Sequence, residues 1–398
     1  MTEGGAASSG EALVLALNSG SSSIKFALFD SGAGGAPALA RGTLSDGAKP
    51  GFEVRDASGA VTVRQSLAEG APASAVFAGL LDWIDAVGGG RRLAAVGHRI
   101  VHGGESFCEP IQLTPETICV LSALTPLAPL HQPRCLQPVR RIAELRPDLV
   151  QIGCFDTAFH RSIDATTRRY GLPRRFEQQG IRKFGFHGLS YEHIADRLHG
   201  MGRDRGSPTV VAHLGSGASL CAMQDGLSRD TTMGFSVLDG LPMATRCGAI
   251  DPGVLLYMQR QMGLSVAELE DILYHESGLL GVSGISGDMR ELLASPDECA
   301  AEAVDLFTFH VAREVAAMAN TLGGIERLVF TGGIGEHLGA VRAAVCTRLS
   351  WLGVVLDPKA NDHGGPCISA GGSRVSVFVI PADEERVIDR HVRAALGH

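Results

Sequence analysis

The chain carries at residues 15–30 the stretch LALNSGSSSIKFALFD, in which two apolar runs flank a turn of Asn, Gly and Ser. This order predicts a strand, a polar turn and a second strand. Residues 211–226 repeat the order as VAHLGSGASLCAMQDG and end in Asp225 and Gly226, a pair typical of hairpin turns. Because the two copies lie in different halves of the chain, they indicate a duplicated domain.

Strands and helices alternate along the rest of the sequence. Apolar periodicity predicts further strands over residues 93–97, 150–155, 327–331 and 374–380. It predicts helices over 73–87, 134–145, 265–274, 297–322 and 384–396, and one that follows the turn at 332–336 and continues to about residue 349. This alternation, in a chain of 398 residues, predicts an α/β fold with two domains.

Composition excludes several classes of protein. With 45% apolar and 20% charged residues, the chain is neither disordered nor fibrous. A net charge of −8 without a long basic block argues against binding to nucleic acid or to an anionic membrane. Residues 1–11 lack the cationic start of a signal peptide and predict a flexible tail. Nine scattered cysteines without a C-x-x-C pair are typical of reduced thiols, so we expect a cytoplasmic protein.

The excess of glycine, 51 residues, gathers partly in three turns that follow predicted strands, at 18–23, 213–217 and 331–335. Backbone amides in such turns can bind phosphate oxygens, and the third turn also opens a predicted helix, whose N-terminus is partly positive. The sequence has no G-x-x-x-x-G-K-[ST] motif, no complete G-x-G-x-x-G after a strand and no protein-kinase catalytic loop. The three turns therefore predict a phosphate site of another kind.

Charged side chains accompany these turns. Arg99 lies in a predicted Gly-bounded turn and is a candidate anion ligand. Asp156 follows a predicted buried strand, where it could serve a site or cap the next helix. Lys25 could face a phosphate, with Asn18 near a metal, or could lie exposed on its strand. The acids at 383–385 could bind Mg²⁺ or simply favour the start of a helix.

Ten motifs occur in order, and together they resemble one known family. They are N-x-G-S-S-S-x-K (18–25), G-H-R-x-V-H-G-G (97–104), P-L-H-x-P (129–133), F-D-T-A-F-H (155–160), F-G-F-H-G (184–188), H-L-G-x-G-A-S (213–219), T-R-x-G-x-I-D-P (245–252), S-x-D-M-R (286–290), G-G-I-G-E (332–336) and I-P-x-x-E-E (380–385). Over residues 12–395 the chain resembles the acetate kinase family, in the acetokinase branch of the sugar-kinase, Hsp70 and actin superfamily.

This resemblance implies duplicated ribonuclease-H-like (actin-like ATPase) domains with an interdomain nucleotide cleft. The expected first domain is 12–156 plus 384–398, and the expected second domain is 157–383. The implied reaction is reversible ATP-dependent phosphorylation of a short-chain carboxylate, with acetate as the expected acceptor. It gives an acyl phosphate and ADP by in-line transfer with Mg²⁺, which Mn²⁺ can replace. The resemblance also implies a homodimer. Propionate or butyrate kinases, and non-catalytic ATP-switch proteins of the superfamily, are the alternatives.

The resemblance also assigns roles to residues. The implied catalytic residues are Asp156, His187, Arg246, Arg99 and His131, of which Arg99 also binds the carboxylate. The acyl pocket is implied for Val101, Leu130, Phe186 and Val237, and Mg²⁺ contacts for Asn18 and Glu384. The implied nucleotide contacts are Lys25, His213, Leu214, Gly215, Ser216, Gly217, Asp288, Met289, Arg290, Gly333, Ile334, Gly335, Glu336 and His337.

The residue types agree with that chemistry. A carboxylic acid with a pKa of about 4.3 is already ionised at neutral pH, so its attack on phosphorus needs no strong base. The obstacle is repulsion between two anions, which cations and hydrogen-bond donors placed around the phosphoryl group reduce. We therefore expect Asp156 to orient a neighbour rather than to remove a proton. The sequence departs from the family pattern at Ser216, His337, Gln132, Leu189 and Val237, which bears on nucleotide and acyl preference.

Overall fold

The protein is described here from a computed structural model, which covers residues 12–20, 23–32, 35–45, 49–56 and 58–397. The predicted tail at 1–11 lies outside these residues, as do Ser21 and Ser22 of the first turn. In the described ranges no helix combines the length and the hydropathy that crossing a membrane requires.

The described chain forms thirteen strands and fifteen α-helices. The strands are β1 Ala12–Ser19, β2 Ile24–Asp30, β3 Ala40–Ser45, β4 Gly51–Arg55, β5 Val61–Ser66, β6 Arg92–Ile100, β7 Ile111–Gln112, β8 Val150–Phe155, β9 Thr209–Leu214, β10 Ala218–Gln224, β11 Leu227–Thr231, β12 Arg327–Thr331 and β13 Ser376–Val379. The helices are α1 Ala73–Val87, α2 Pro115–Ala123, α3 Gln132–Leu145, α4 Ala165–Arg168, α5 Arg174–Glu177, α6 Gly188–Gly200, α7 Pro252–Gln261, α8 Val266–Asp271, α9 Gly278–Ser283, α10 Met289–Ala294, α11 Glu298–Leu322, α12 Gly332–His337, α13 Gly339–Arg348, α14 Pro358–His363 and α15 Glu384–Leu396.

The chain divides into two compact units. Unit 1 comprises Met1–Ala158 and Asp383–His398, and unit 2 comprises Phe159–Ala382. The predicted assignment of two domains, with boundaries near 156 and 384, stays a prediction, because compactness does not show that either unit folds alone.

Unit 1 is built on a sheet in the order β5-β4-β3-β2-β1-β6-β8-β7. Strands β2 and β1 pair antiparallel, whereas β6 lies parallel to β1 and β8 lies parallel to β6. Helix α1 packs its apolar face on Leu13, Leu15 and Leu17 of β1. Helix α15 covers the opposite face, where a Cβ added at Gly97 would overlap Ile388. Because helices cover both faces, β1 and β8 are buried almost along their whole length.

Unit 2 repeats this plan in the order β11-β10-β9-β12-β13. Strands β9, β10 and β11 form an antiparallel meander, and β12 and β13 continue the sheet parallel to β9. The same arrangement holds for β3, β2, β1, β6 and β8 of unit 1. The shared topology confirms the duplicated α/β fold that the two hairpins predict.

Most predicted elements agree with the structure, and α1, β8, β12 and α15 have the predicted bounds. Several expectations were wrong in detail. The predicted helix over 265–274 is α8 followed by a π-helical turn, Ile272–Glu276. The predicted turn at 332–336 is itself the helix α12, and β13 is shorter than expected. The periodicity did not predict β3 to β5, which lie at the sheet edge and carry many polar residues.

Candidate active site

Three segments that are distant in sequence meet in unit 2 around a cavity of about 620 Å³. They are the loop after β9, the start of α10 and the helix α12, which carry three of the predicted nucleotide segments. The cavity is lined by Gly215, Ser216, Gly287, Asp288, Met289, Arg290, Gly333, Ile334, His337 and Leu338. Ser216 and His337, two of the departures from the family pattern, therefore lie in its wall.

The backbone of Gly332 brings α12 against β9. Its φ of +76° lies in the left-handed region, and a Cβ at this position would approach the Leu214 carbonyl oxygen to 2.7 Å. The side chain of Glu336 then accepts hydrogen bonds from the Gly332 and Ala382 amides, both at 2.9 Å. Glu336, predicted as a nucleotide contact, is thus occupied in fixing the segment rather than in lining the cavity.

Arg342 fixes the other end of α12. Its guanidinium donates to the carbonyl oxygens of Gly335 and Glu336, at 2.9 and 2.8 Å, and to both oxygens of Asn361. The side chain is 2% exposed, and this burial lowers the pKa of Arg342. Sequence reasoning missed Arg342, because nothing in the pattern around α13 distinguishes it from a surface arginine.

His187 and Arg246 converge on Gly217. A Cβ built on Gly217 would lie 2.8 Å from Arg246 Nη2 and 3.4 Å from His187 Nε2. Both side chains therefore flank the loop after β9, one residue beyond the cavity-lining Ser216. The structure thus brings two predicted catalytic residues together with the predicted nucleotide loop, all within unit 2.

The main chain and the neighbouring rings hold His187. Its φ of 57° is left-handed, and it precedes α6 as the N-cap residue. Its Nδ1 lies 2.8 Å from Ser219 Oγ, and its ring stacks on His213 with 4.3 Å between the centroids. His213 Nδ1 in turn lies 2.8 Å from Ser190 Oγ. His213, predicted as a nucleotide contact, therefore lies directly against the His187 ring.

His160 fixes the backbone directly before His187. Its two ring nitrogens lie 2.8 Å from the Phe186 carbonyl oxygen and 2.8 Å from Ser228 Oγ. Burial lowers the pKa of His160 to about 4. A neutral ring accounts for both contacts, because Nε2–H donates to the carbonyl while Nδ1 accepts from the hydroxyl.

A loop docked on the π-helical turn positions Arg246. Thr245 Oγ1 donates to the Tyr274 carbonyl at 2.7 Å, and the Cys247 amide donates to the Leu273 carbonyl at 3.2 Å. Arg246 Nη1 donates to the Val237 carbonyl at 2.8 Å. The π-helical turn thus provides acceptors on both sides of Arg246.

In unit 1, Arg99 and Asp156 form a buried ion pair. Arg99 donates to Asp156 Oδ2 from Nε at 2.9 Å and from Nη2 at 2.6 Å. Burial alone would lower the pKa of Arg99, but the charges of Asp156 and Glu384 raise it above its usual value. The expectation that Arg99 lies in a turn was wrong: it is part of β6, because the pairing with β8 continues through it. Asp156 follows β8, as predicted.

Asn18 connects this pair to the start of α15. Its Oδ1 accepts from Arg99 Nη1 at 3.3 Å, while its Nδ2 donates to Glu384 Oε2 and Glu385 Oε1, each at 2.8 Å. Burial and then the charge of Glu384 raise the pKa of Glu385. Lys25, which faces Asn18 across the β1–β2 ladder, is exposed.

The predicted metal residues fit Mg²⁺ by their chemistry. Across the described residues, no cluster of three His, Cys, Asp or Glu side chains could form a complete metal cage. Mg²⁺ does not need one, since one or two carboxylates together with substrate phosphates and water usually hold it. Burial and then the charge of Glu384 raise the pKa of Glu385, and a cation at this position would offset the repulsion between the two carboxylates.

The predicted acyl-pocket residues differ in exposure. Val101, Phe186 and Val237 are buried, whereas Leu130 is 43% exposed. His131 is the N-cap residue of α3, and its side chain accepts no capping hydrogen bond there. Their predicted roles remain predictions.

Two further departures from the family pattern have structural explanations. Gln132 is fully buried, and its amide bonds to both backbone groups of His102 and to the Leu121 carbonyl. It therefore fixes backbone in unit 1 and does not line the cavity of unit 2, and its bearing on nucleotide affinity stays a prediction. Leu189 is buried in α6.

The duplicated α/β sheets define an actin-like fold, and the comparisons with known proteins identify the chain as a phosphotransferase. The Acetokinase family model matches residues 13–390. An acetate kinase of Rhodopseudomonas palustris is 49% identical over 96% of this chain and 97% of its own length. An acetate kinase of Methylocella silvestris is 45% identical over 96% of this chain and 98% of its own.

Solved structures agree with these sequence relatives. A propionate kinase from Francisella tularensis superposes with a TM-score of 0.87 at 33% identity, covering 96% of this chain and 98% of its own. An acetate kinase from Porphyromonas gingivalis gives 0.85 at 35% identity, covering 97% of this chain and 100% of its own. The chain belongs to the acetokinase family, whose members use ATP and ADP as co-substrates.

Proposed function

We propose that this protein is an acetate kinase that transfers the γ-phosphoryl group of ATP to acetate, and back, with Mg²⁺. The observation that carries the proposal is the convergence of His187 and Arg246 on Gly217, beside a cavity lined by three glycine-containing segments. The relatives named acetate kinase, at 42 to 49% identity, support acetate as the acceptor.

The chemistry is a displacement at phosphorus. A carboxylate oxygen of acetate forms a bond to the γ-phosphorus while the bond from that phosphorus to the bridging oxygen of ADP breaks. The products are acetyl phosphate and ADP, and no proton transfer is needed because the attacking acid is already ionised. Catalysis then rests on positioning and on stabilising the charge of the transferring group.

Unit 2 supplies the nucleotide site and two donors. Backbone amides of the loop after β9 and of α12 bind phosphate oxygens, where small residues let the backbone approach. His187 Nε2 and Arg246 Nη2 donate to the oxygens of the transferring phosphoryl group. Arg246 keeps its orientation because its other amino group binds the Val237 carbonyl.

Unit 1 supplies the carboxylate ligand and the metal contacts. Arg99 binds the acetate carboxylate, and Asp156 fixes the guanidinium through two hydrogen bonds to one oxygen. Asn18 and Glu384 would hold Mg²⁺. The ion, when bound with ATP, neutralises part of the phosphate charge.

The direct test is a hydroxylamine trap. Purified protein with Mg-ATP and acetate, propionate or butyrate should form acyl hydroxamate fastest with acetate. A higher kcat/KM for propionate than for acetate would make propionate the acceptor. The absence of product with all three acids would contradict the kinase proposal and favour a non-catalytic ATP-binding protein.

Gly333→Ala tests the nucleotide site separately. A Cβ at Gly333 meets no protein atom within 4 Å, so the fold should tolerate it, yet the residue lines the cavity. We expect the KM for ATP to rise about tenfold, as a lost phosphate contact would cause. Gly371→Ala, which also meets nothing within 4 Å, is the matched control and should leave this KM unchanged. An unaltered KM in Gly333→Ala would remove the cavity from the nucleotide site.

We also propose a homodimer that packs through α7. No residue of this ten-residue helix is buried in the single chain, and two of its large apolar side chains, Leu256 and Tyr257, are 50% and 62% exposed. A short helix is marginal unless its apolar face is packed. Light scattering should therefore show a dimer that Leu256→Glu dissociates, while Leu172→Glu, at an exposed leucine elsewhere in unit 2, does not. A monomeric wild-type protein would overturn this proposal.

The nine free cysteines support a cytoplasmic location, since reducing compartments keep thiols unpaired. Cell fractionation with an antibody to the protein checks this proposal.

A further inference from the structure

A chain of two hydrogen bonds leads from the protein interior to the ring of His187. The Tyr191 hydroxyl bonds to Ser219 Oγ, and Ser219 Oγ lies 2.8 Å from His187 Nδ1. Tyr191 and Ser219 are fully buried. They come from different elements, α6 and β10, so the chain of bonds depends on the packing of that helix against the sheet.

The acidity of the groups sets the direction of these bonds. A phenol is a stronger hydrogen-bond donor than an aliphatic hydroxyl, so Tyr191 donates to Ser219 Oγ. Ser219 then has its own proton left to donate, and Nδ1, at 2.8 Å, is the acceptor placed beside it. A neutral imidazole that accepts at Nδ1 carries its own proton on Nε2. Nε2 is the ring atom that lies toward Gly217 and Arg246.

We infer that Tyr191 and Ser219 are positioning residues that fix the orientation of His187 and keep its proton on Nε2 when the ring is neutral. The inference rests on the proposed function, in which Nε2 donates to the transferring phosphoryl group. It goes further by naming the residues that make the neutral ring a donor.

The charged and titratable groups around the ring favour such an arrangement. The stacked ring of His213 comes from β9, Arg246 comes from the loop before α7, and Tyr191 acts from α6 through Ser219. A neutral His187 that still donates from Nε2 avoids placing a second positive charge beside that of Arg246. It also lets the enzyme keep this donor at pH values above those at which histidines lose their charge.

Tyr191→Phe removes one hydroxyl and provides the test. Without the phenol, Ser219 Oγ loses the donor that favours this direction, so in part of the molecules it accepts from Nδ1–H and Nε2 carries no proton. At low pH the imidazolium carries both protons, so the defect is partly hidden. We expect kcat to fall about threefold at pH 5.5 and about 30-fold at pH 8.5, with the KM values for ATP and acetate within about twofold of wild type.

Ser219→Ala removes the contact to Nδ1 itself and should lower kcat at both pH values. Thr209→Val, which also removes a buried hydroxyl in the same sheet, is the matched control and should retain wild-type kcat. A loss in Tyr191→Phe that is the same at both pH values, or no loss, would show that the two residues only support the fold. A wild-type protein without any kinase activity would instead contradict the proposed function.

Nitrogen-15 NMR of histidine-labelled protein gives a readout independent of activity. The His187 signals, identified by their loss in His187→Gln, should show the Nε2–H form at pH 8.5 in the wild type and a mixture with Nδ1–H in Tyr191→Phe. Nδ1–H in the wild type would overturn the inference.

Discussion

Arg99 directs two of its nitrogens at a single oxygen of Asp156, at 2.9 and 2.6 Å, and both side chains are largely removed from solvent. In this geometry Asp156 fixes the orientation of the Arg99 guanidinium. A carboxylate that holds a guanidinium in this way is poorly suited to remove a proton, and the reaction does not require it to do so.

Asp156→Asn should therefore reduce turnover by disorienting Arg99. An amide oxygen in the place of Oδ2 can still accept these bonds, but it carries no charge, and the arginine loses its buried counter-ion. We expect kcat to fall about 100-fold or more, from the cost of breaking a buried pair, as measured with saturating Mg-ATP in the hydroxamate assay.

The matched control is Asp389→Asn, because Asp389 also forms a buried pair, with Arg393 at 2.9 Å, in the same unit. It should lower the thermal midpoint while leaving kcat close to wild type. Near-normal turnover in Asp156→Asn would mean that Asp156 has no essential role.

Gly217→Ala tests the convergence of His187 and Arg246. The added Cβ would lie 2.8 Å from the arginine nitrogen, so the guanidinium must shift. We expect kcat to fall about 100-fold, as it does when a transition-state donor is lost, with little change in the thermal midpoint. Gly171→Ala, whose Cβ meets no atom within 4 Å, should behave as wild type. If Gly217→Ala kept full activity, the two side chains would not act at this loop.

Glu384→Gln should raise the Mg²⁺ requirement. The amide oxygen can still accept from Asn18, but the variant lacks the negative charge that a hard cation prefers. The concentration of Mg²⁺ at half-maximal rate should increase about fivefold or more, consistent with the loss of a charged ligand. Glu144→Gln, on the exposed surface of α3, should leave it unaltered. An unchanged requirement in Glu384→Gln would remove this residue from the metal site.

Buried histidines should make the protein sensitive to acid. Burial lowers the pKa of His98, His102 and His160 to about 4 in each case. In the unfolded chain their pKa is about 6.5, so the unfolded state binds more protons than the folded state between pH 6.5 and 4. The free energy of unfolding should fall as pH decreases through this window. The raised pKa of Glu385 acts in the opposite direction.

His98→Gln removes one of these groups. Thermal midpoints measured at pH 7 and pH 5 should differ less in this variant than in the wild type, since each such histidine contributes at most ~1.4 kcal/mol per pH unit. The exposed His363→Gln should show the wild-type difference. An equal difference in all three proteins would mean that His98 is not held neutral.

Sequence reasoning predicted the sheets well because strongly apolar, helix-covered strands such as β8 and β12 have a clear pattern. It was wrong about the turn at 332–336, since glycines that suit a turn also fit the tight first residues of α12 beside Leu214. The motifs contained His187 and Ser219, but a linear pattern does not show that these side chains bond to each other. Arg342 and the β3–β5 meander had no signal, because no pattern distinguishes Arg342 from a surface arginine and the edge strands carry many polar residues.

The π-helical turn at Ile272–Glu276 has a consequence for insertions and deletions. Such a turn contains one residue more than an α-helix would use over the same length. Deleting that residue would give a more regular helix, and by local propensity alone it should be harmless or even stabilising. It would also rotate the Leu273 and Tyr274 carbonyls away from Cys247 and Thr245, and Arg246 would lose its anchors on both sides. The length of the π-helical turn is therefore coupled to the conformation of the loop around Arg246. A functional enzyme cannot have a shorter turn without a different conformation of that loop.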